Sequence, residues 1–128
     1  MASEKTKVLL VEDDLMIVEM YKMRFEEEGY AVLVTDKGSE AIEIAEKEKP
    51  DIILLDVILP EVDGFTVLQK LKNDIKTKEI PILLLTNLGQ ESDKEKGLQM
   101  GAADYFIKAQ HTPVEVIQKI KELINKSS

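Results

Sequence analysis

Pro50-Asp51-Ile52-Ile53-Leu54-Leu55-Asp56-Val57-Ile58-Leu59-Pro60-Glu61-Val62-Asp63-Gly64 decides how the rest of the chain is read. The four apolar residues Ile52 to Leu55 leave neither face of a strand for water, which is the pattern of a strand inside a parallel sheet. The run stops at a carboxylate, Asp56. Pro60 and Gly64 then turn the chain before a helix can start. An acid at the carboxyl end of a central parallel strand stands where open α/β sheets place their ligands.

Outward from this stretch the pattern repeats. Lys7 to Val11 predicts a first strand that runs straight into Glu12-Asp13-Asp14, where Asp14 or Asp13 can cap the next helix. That helix, Leu15 to Glu28, carries Leu15, Met16, Val18, Met20, Tyr21, Met23 and Phe25 at helical spacing, and Gly29 stops it. Tyr30 to Val34 is the second strand. Gly38-Ser39 precedes a second helix, Glu40 to Lys49, with Ala41, Ile42, Ile44 and Ala45 as its apolar face and Pro50 as its end. Beyond Gly64, Phe65, Val67, Leu68 and Leu71 make the inner face of a third helix reaching about Asn73, followed by the charged loop Asp74 to Glu79. Ile80 to Leu85 is the fourth strand and closes at Thr86-Asn87. Ser92 and Glu95 have capping-box spacing and open a fourth helix that Gly101 ends. Ala103 to Ile107 is the fifth strand, ending at Lys108. Thr112-Pro113-Val114-Glu115 is a second capping box with proline at the first helical position. The last helix runs to about Asn125, with Val116, Ile117, Ile120, Leu123 and Ile124 apolar.

Five strands alternating with five helices predict an α/β fold, a doubly wound five-stranded parallel sheet covered by helices on both faces. The strand order assigned to it, 2-1-3-4-5, is that of flavodoxin-like folds; it is taken from that class and not read from the residues. The 128 residues suit one domain, 1–128 with a core of about 7–125, and no linker, repeat or low-complexity tract divides them. The apolar fraction of 44% and charged fraction of 33% are ordinary for a globular chain. The absence of cysteine excludes disulfides, thiolate metal sites and cysteine nucleophiles. Met1 to Thr6 is polar, without a signal-peptide core, and no apolar run approaches the roughly 20 residues of a membrane span. A cytoplasmic protein without membrane contact is expected. The net charge of -8 argues against direct nucleic-acid binding, and most of it serves solubility.

Some of that acidity falls at strand ends. All carboxyl ends of a parallel sheet lie on one edge, so the residues that close the apolar runs share one surface: Glu12, Asp13 and Asp14, then Asp56, Thr86 and Lys108. With the first and third strands adjacent, Glu12, Asp13 and Asp56 converge. Three crowded carboxylates repel one another unless a cation or protons intervene. All-oxygen ligands favour a hard cation, Mg2+ with Mn2+ as a substitute. Lys108 can hold a phosphoryl oxygen as a point charge, and the Thr86 hydroxyl can donate to another. Asp56 is then a nucleophile forming an aspartyl phosphate. Taken singly, the acids are a capping turn or a loop carboxylate, Thr86 a strand-end hydroxyl and Lys108 a surface charge. It is their joint placement at strand ends that points to a site.

These residues resemble a response-regulator receiver domain of two-component signalling, over roughly Lys7 to Asn125. The landmarks are Glu12-Asp13, Asp56, Pro60, Gly64, Thr86 and Lys108. The resemblance implies Mg2+-dependent transfer of a phosphoryl group to Asp56 from the phosphohistidine of a histidine kinase or phosphotransfer protein. It implies that Thr86 moves toward the phosphoryl group and that an aromatic three residues before the lysine, here Tyr105, rotates inward with it. The surface of the fourth helix, fifth strand and fifth helix would then signal to a downstream protein. The start of the first helix, Met16, Ile17 and Met20, would meet the kinase, although the core must claim some of the three. Two positions depart from the family. Ala109 replaces a proline often joined by a cis bond; a non-proline cis bond costs about 2.5–4 kcal/mol against about 0.5–1 for proline, so a trans bond with an altered loop is expected, or else a strained cis bond. Asn87 replaces a small residue and can narrow access to the phosphoryl group or position a water. His111, the single histidine, is expected to be a solvated loop residue.

Three other functions compete. A phosphohydrolase using Asp56 commonly needs a second acid two residues on, where Ile58 cannot transfer protons. A flavin or nucleotide binder needs a glycine-rich first turn, where this chain has acids. A receiver-like interaction module that is never phosphorylated would not need every landmark residue. The expectation is a phosphoacceptor and not an enzyme in the usual sense.

Overall fold

The structure is a computed structural model that describes residues 5–127. The polar start, Met1 to Glu4, and Ser128 lie outside the described residues, and with them the outer limits of the expected 1–128 domain. Strands and helices alternate throughout: β1 (Lys7–Val11), α1 (Leu15–Glu27), β2 (Ala31–Thr35), α2 (Gly38–Glu48), β3 (Ile52–Leu55), α3 (Gly64–Lys72), β4 (Ile82–Thr86), α4 (Glu91–Gln99), β5 (Asp104–Ile107) and α5 (Pro113–Ser127). The sheet is parallel, in the order β2-β1-β3-β4-β5. No helix among the described residues is long and apolar enough to cross a membrane.

Because side chains alternate across a strand, each central strand feeds two cores. Leu9, Val11, Ile53, Leu55, Ile82 and Leu84 face α2 and α3, meeting Ala41, Ala45, Val67, Leu68 and Leu71. Val8, Leu10, Ile52, Leu54, Leu83 and Leu85 face the other way, against Val18, Tyr21 and Phe25 of α1 and Val116, Ile117 and Ile120 of α5. All four residues of β3 are fully buried, the physical content of its unbroken apolar run. Each such Leu or Ile contributes about 1.5–3 kcal/mol of burial.

Local chemistry sets most of the boundaries. Asp14 caps α1 by accepting from the N–H groups of Met16 and Ile17. Asp63 caps α3 by accepting from Thr66 N at 3.0 Å. The Thr112 capping box closes in both directions, Thr112 N donating to Glu115 Oε1 at 2.8 Å and Glu115 N donating to Thr112 Oγ1 at 3.3 Å. Gly29 ends the α1 turn at φ +85, a conformation that disfavours any side chain.

Three expectations need correction. The Ser92 capping box does not form: α4 starts at Glu91, its N-cap is Gln90, and no side chain caps it. Leu15, Met16 and Met23 are not on the core face of α1 but are 77, 83 and 55% exposed. Met16 and Met23 lie opposite the Val18, Tyr21 and Phe25 stripe on the helix, and Leu15 stands at its exposed first position. Ile17 and Met20 are half-buried against the α1–α5 core. The strands β2 and β4 run one residue later at their carboxyl ends, to Thr35 and Thr86, because both threonines keep a register partner there.

Candidate functional site

Register positions the site. Val11 pairs with Leu55, so Glu12 and Asp56 leave β1 and β3 at the same level, and Asp56 N donates to Val11 O at 3.0 Å. Leu55 pairs with Leu84, which puts Thr86 one residue beyond the level of Asp56. Lys108 follows β5, its N–H held by Thr86 O at 2.8 Å.

The side chains converge accordingly. The Lys108 ammonium lies 2.7 Å from Asp56 Oδ2, 2.9 Å from Glu12 Oε1 and 3.1 Å from Glu12 Oε2. The second Asp56 oxygen, Oδ1, accepts from Ile58 N at 3.0 Å. Glu12 Oε2 also accepts from Asp14 N at 3.1 Å. Glu12 and Asp56 are buried, while Asp13 is exposed at the rim. Together with Asp14, Ile58 and Asn87 these groups line a cavity of about 350 Å³. Thr86 is fully buried, its Oγ1 accepting from Leu88 N at 3.3 Å. Tyr105 already lies inward, and its hydroxyl donates to Leu88 O at 2.7 Å.

The electrostatics follow from the crowding. Burial pushes the Glu12 carboxyl above the usual carboxylate range, the Asp56 charge adds to this, and Lys108 and Asp14 N–H pull it back only in part. For Lys108, burial alone would lower the ammonium, but hydrogen bonds to Asp56 and Glu12 outweigh it and hold it above the ordinary lysine value. Three carboxylates facing one ammonium leave two negative charges. Glu12, Asp13 and Asp56 each offer an oxygen, and these lie within 4.8 Å of one another. Oxygens on opposite sides of a hard ion such as Mg2+ stand about 4.2 Å apart, so the set fits one divalent cation in both charge and span.

The loop from Asp56 to α3 depends on Gly64. A Cβ there would fall on the Asp56 carbonyl oxygen and within 2.6 Å of Val57 Cα, while Gly64 N donates to Val57 O at 2.7 Å. The Lys108–Ala109 peptide is trans, as no cis bond occurs among the described residues. His111 differs from expectation, being half-buried and not free in solvent. Sequence reasoning passed over the Ile58 N–H as a site group. The available signal was its spacing, since an aspartate side chain often accepts from the N–H two residues on.

Comparison with known proteins agrees with this geometry. The sequence profile of the response regulator receiver domain matches residues 8–121. The alkaline phosphatase synthesis transcriptional regulatory protein PhoP of Bacillus subtilis is 40% identical over 121 residues, 94% of this chain and 49% of that protein. The receiver domain of Francisella response regulator 1452 is 29% identical with a TM-score of 0.89, covering 97% of this chain and 100% of that one. The receiver domain of sensor histidine kinase PA1611 from Pseudomonas aeruginosa, solved with a magnesium ion coordinated in its active site cleft, is 28% identical with a TM-score of 0.85, covering 95% of this chain and 99% of that one. The chain belongs to the response regulator receiver domain family, the signalling modules of two-component systems. It spans about half the length of the curated relatives it matches.

Proposed function

We propose that Asp56 accepts a phosphoryl group from a phosphohistidine of a histidine kinase or phosphotransfer protein, and that the chain passes the signal to a downstream protein without itself contacting nucleic acid or membrane. The observation that carries this reading is the Asp56 carboxylate, buried yet lining an acid-rimmed cavity and held by Lys108 at 2.7 Å. One carboxylate oxygen attacks phosphorus as the N–P bond breaks, and the donor ring, protonated on its other nitrogen, leaves as neutral imidazole. Ile58 N–H and the Lys108 ammonium orient the carboxylate before attack. Lys108 is then within reach of an oxygen of the new phosphoryl group. Glu12, Asp13 and Asp56 are the residues that would hold Mg2+, or Mn2+ in its place, and the ion would neutralise charge on the phosphoryl oxygens.

The read-out runs through Leu88. Its N–H is held by Thr86 and its carbonyl by Tyr105, so both hydroxyls are tied to one residue of the β4–α4 loop. Thr86 can donate its own proton toward an added dianion. Doing so changes its contact with Leu88 and with it the anchor of Tyr105 on the α4–β5–α5 side. An added charge shifts a population only by interacting better with one state, and Thr86 and Lys108 are the groups that can supply the difference. A cytoplasmic location fits a phosphohistidine donor of this kind.

The test is incubation with Mg2+ and acetyl phosphate followed by intact mass. The parent gains one phosphoryl group, Asp56→Asn gains none, and chelation slows the gain. Phosphoryl uptake by Asp56→Asn at the parental rate would refute the assignment.

A further inference from the structure

β5 is an edge strand, so alternate N–H groups along it point away from β4. Lys108 N bonds inward to Thr86 O. The N–H groups of Tyr105 and Ile107 face outward, and each is met by a side chain. Tyr105 N donates to Asp104 Oδ1 at 2.7 Å, and Ile107 N donates to His111 Nδ1 at 3.2 Å. The carbonyl of Ile107 is held as well, accepting from Gln110 N at 2.9 Å and His111 N at 3.0 Å. The imidazole packs edge-on against Phe106, with centroids 5.1 Å apart at 81°. Ala109 and Gln110 bring no fixed φ to this loop, so nothing in their chemistry locks the turn that carries Lys108.

We infer that His111 is the positioning residue for Lys108: it clamps both sides of Ile107, the residue before the lysine, and so fixes where the ammonium stands over Glu12 and Asp56. The clamp needs a neutral ring with its proton on Nε2, since only then can Nδ1 accept. A protonated ring releases Ile107 N and can donate instead to Ile107 O, also 3.2 Å from Nδ1. Glu115 of α5 interacts with the ring electrostatically; Glu91 and Lys94 of α4 and Tyr105 of β5 line one hollow with it, and Tyr21 of α1 and Lys108 line another. The positioning role rests on the reading of Asp56 as phosphoacceptor, whereas the clamp can be measured without that chemistry.

Three variants test it. His111→Asn keeps an acceptor at the δ1 position, His111→Gln moves it one bond outward, and His111→Ala removes it. By nitrogen NMR the neutral ring of the parent carries its proton on Nε2 and leaves Nδ1 unprotonated. His111→Ala takes up phosphoryl from acetyl phosphate about fivefold more slowly, the scale of one lost hydrogen bond. Its Lys108 ammonium also exchanges protons with water faster than in the parent. His111→Asn restores both, and His111→Gln restores neither. A proton on Nδ1 in the parent, an unchanged ammonium exchange in His111→Ala, or His111→Asn no better than His111→Ala overturns the inference. If the parent takes up no phosphoryl group at all, the reading of Asp56 falls, and ammonium exchange across the three variants decides the clamp alone.

Discussion

Replacing Lys108 by Gln strands two carboxylates whose side chains are 1% and 5% exposed. The lost contacts are 2.9 Å to Glu12 and 2.7 Å to Asp56. Removing one partner of a buried ion pair costs about 3–5 kcal/mol, because the remaining charge has neither water nor a counter-charge. Here both carboxylates border a cavity of about 350 Å³, so some solvent reaches them and the lower end, about 3 kcal/mol, is expected. The assay is urea unfolding at neutral pH, in chelator and in saturating Mg2+. In chelator the variant loses about 3 kcal/mol. In Mg2+ the gap narrows, since the variant's site carries one more negative charge for the ion to neutralise. Adding Asp56→Asn to the variant recovers part of the loss by removing one stranded charge. The pH dependence has a definite sign: an ammonium held above its ordinary value stabilises fully below that value and loses the contribution as pH rises through the folded one, so parent and variant converge in strong alkali. A loss under about 1 kcal/mol in chelator, or an equal loss with and without Mg2+, would refute the ion-pair account.

Three further outcomes follow from single contacts. Gly64→Ala places a methyl on backbone atoms of Asp56 and Val57 that cannot swing aside; urea unfolding is expected to show a loss of about 1–3 kcal/mol, and acetyl phosphate uptake to slow with it. Burial, then the Glu12 charge, pushes the Tyr21 hydroxyl from its ordinary 10 up to about 12. The neutral phenol is therefore favoured in the fold, and its stabilisation is full below pH 10 and lost as pH climbs to 12. Two units correspond to about 2.7 kcal/mol, and a Tyr21→Phe variant whose stability falls as steeply as the parent's over that range would contradict the assignment. Asn87→Ala opens the wall of the cavity and is expected to speed loss of phosphoryl from Asp56 by a factor of a few, read by intact mass over time; equal rates would remove Asn87 from the site's water access.

The central strands were legible because burial on two faces disfavours polar residues, and β3 has none. The helices were legible only where one face meets the sheet. Val18, Tyr21 and Phe25 form the buried stripe of α1, whereas Met16 and Met23 lie on its opposite side and Leu15 at its exposed first position. In α4 only Gly97 is buried, so no apolar stripe marks the start and a capping-box spacing misplaced it. Among the candidate site residues, Glu12, Asp13, Asp56 and Lys108 could be listed from the ends of apolar runs. That Lys108 bridges Glu12 and Asp56 could not, nor that Thr86 stands one residue beyond the level of Asp56, because strand register decides both and no single strand encodes it. His111 gave no signal because its partner is an edge N–H, and edges are defined only once the sheet is assembled.

That dependence on register ties stability to chemistry at this edge. Pairing Val11 with Leu55 brings Glu12 and Asp56 level, so the hydrogen bonds that build the sheet also force the carboxylates together. Hydrophobic burial on both faces supplies the drive to accept that repulsion, and β1 and β3 are fully buried or nearly so below the site. Lys108 offsets only one of the three charges. The fold therefore carries an electrostatic deficit at one defined place, and a ligand or a covalent group that changes the charge there acts on the stability of the carboxyl edge as a whole. The groups free to answer are those not locked into the ladder: the Thr86 hydroxyl, the Leu88 peptide and the turn after β5. All three lie on the β4–β5 side of the sheet, the side from which Lys108 reaches the two carboxylates.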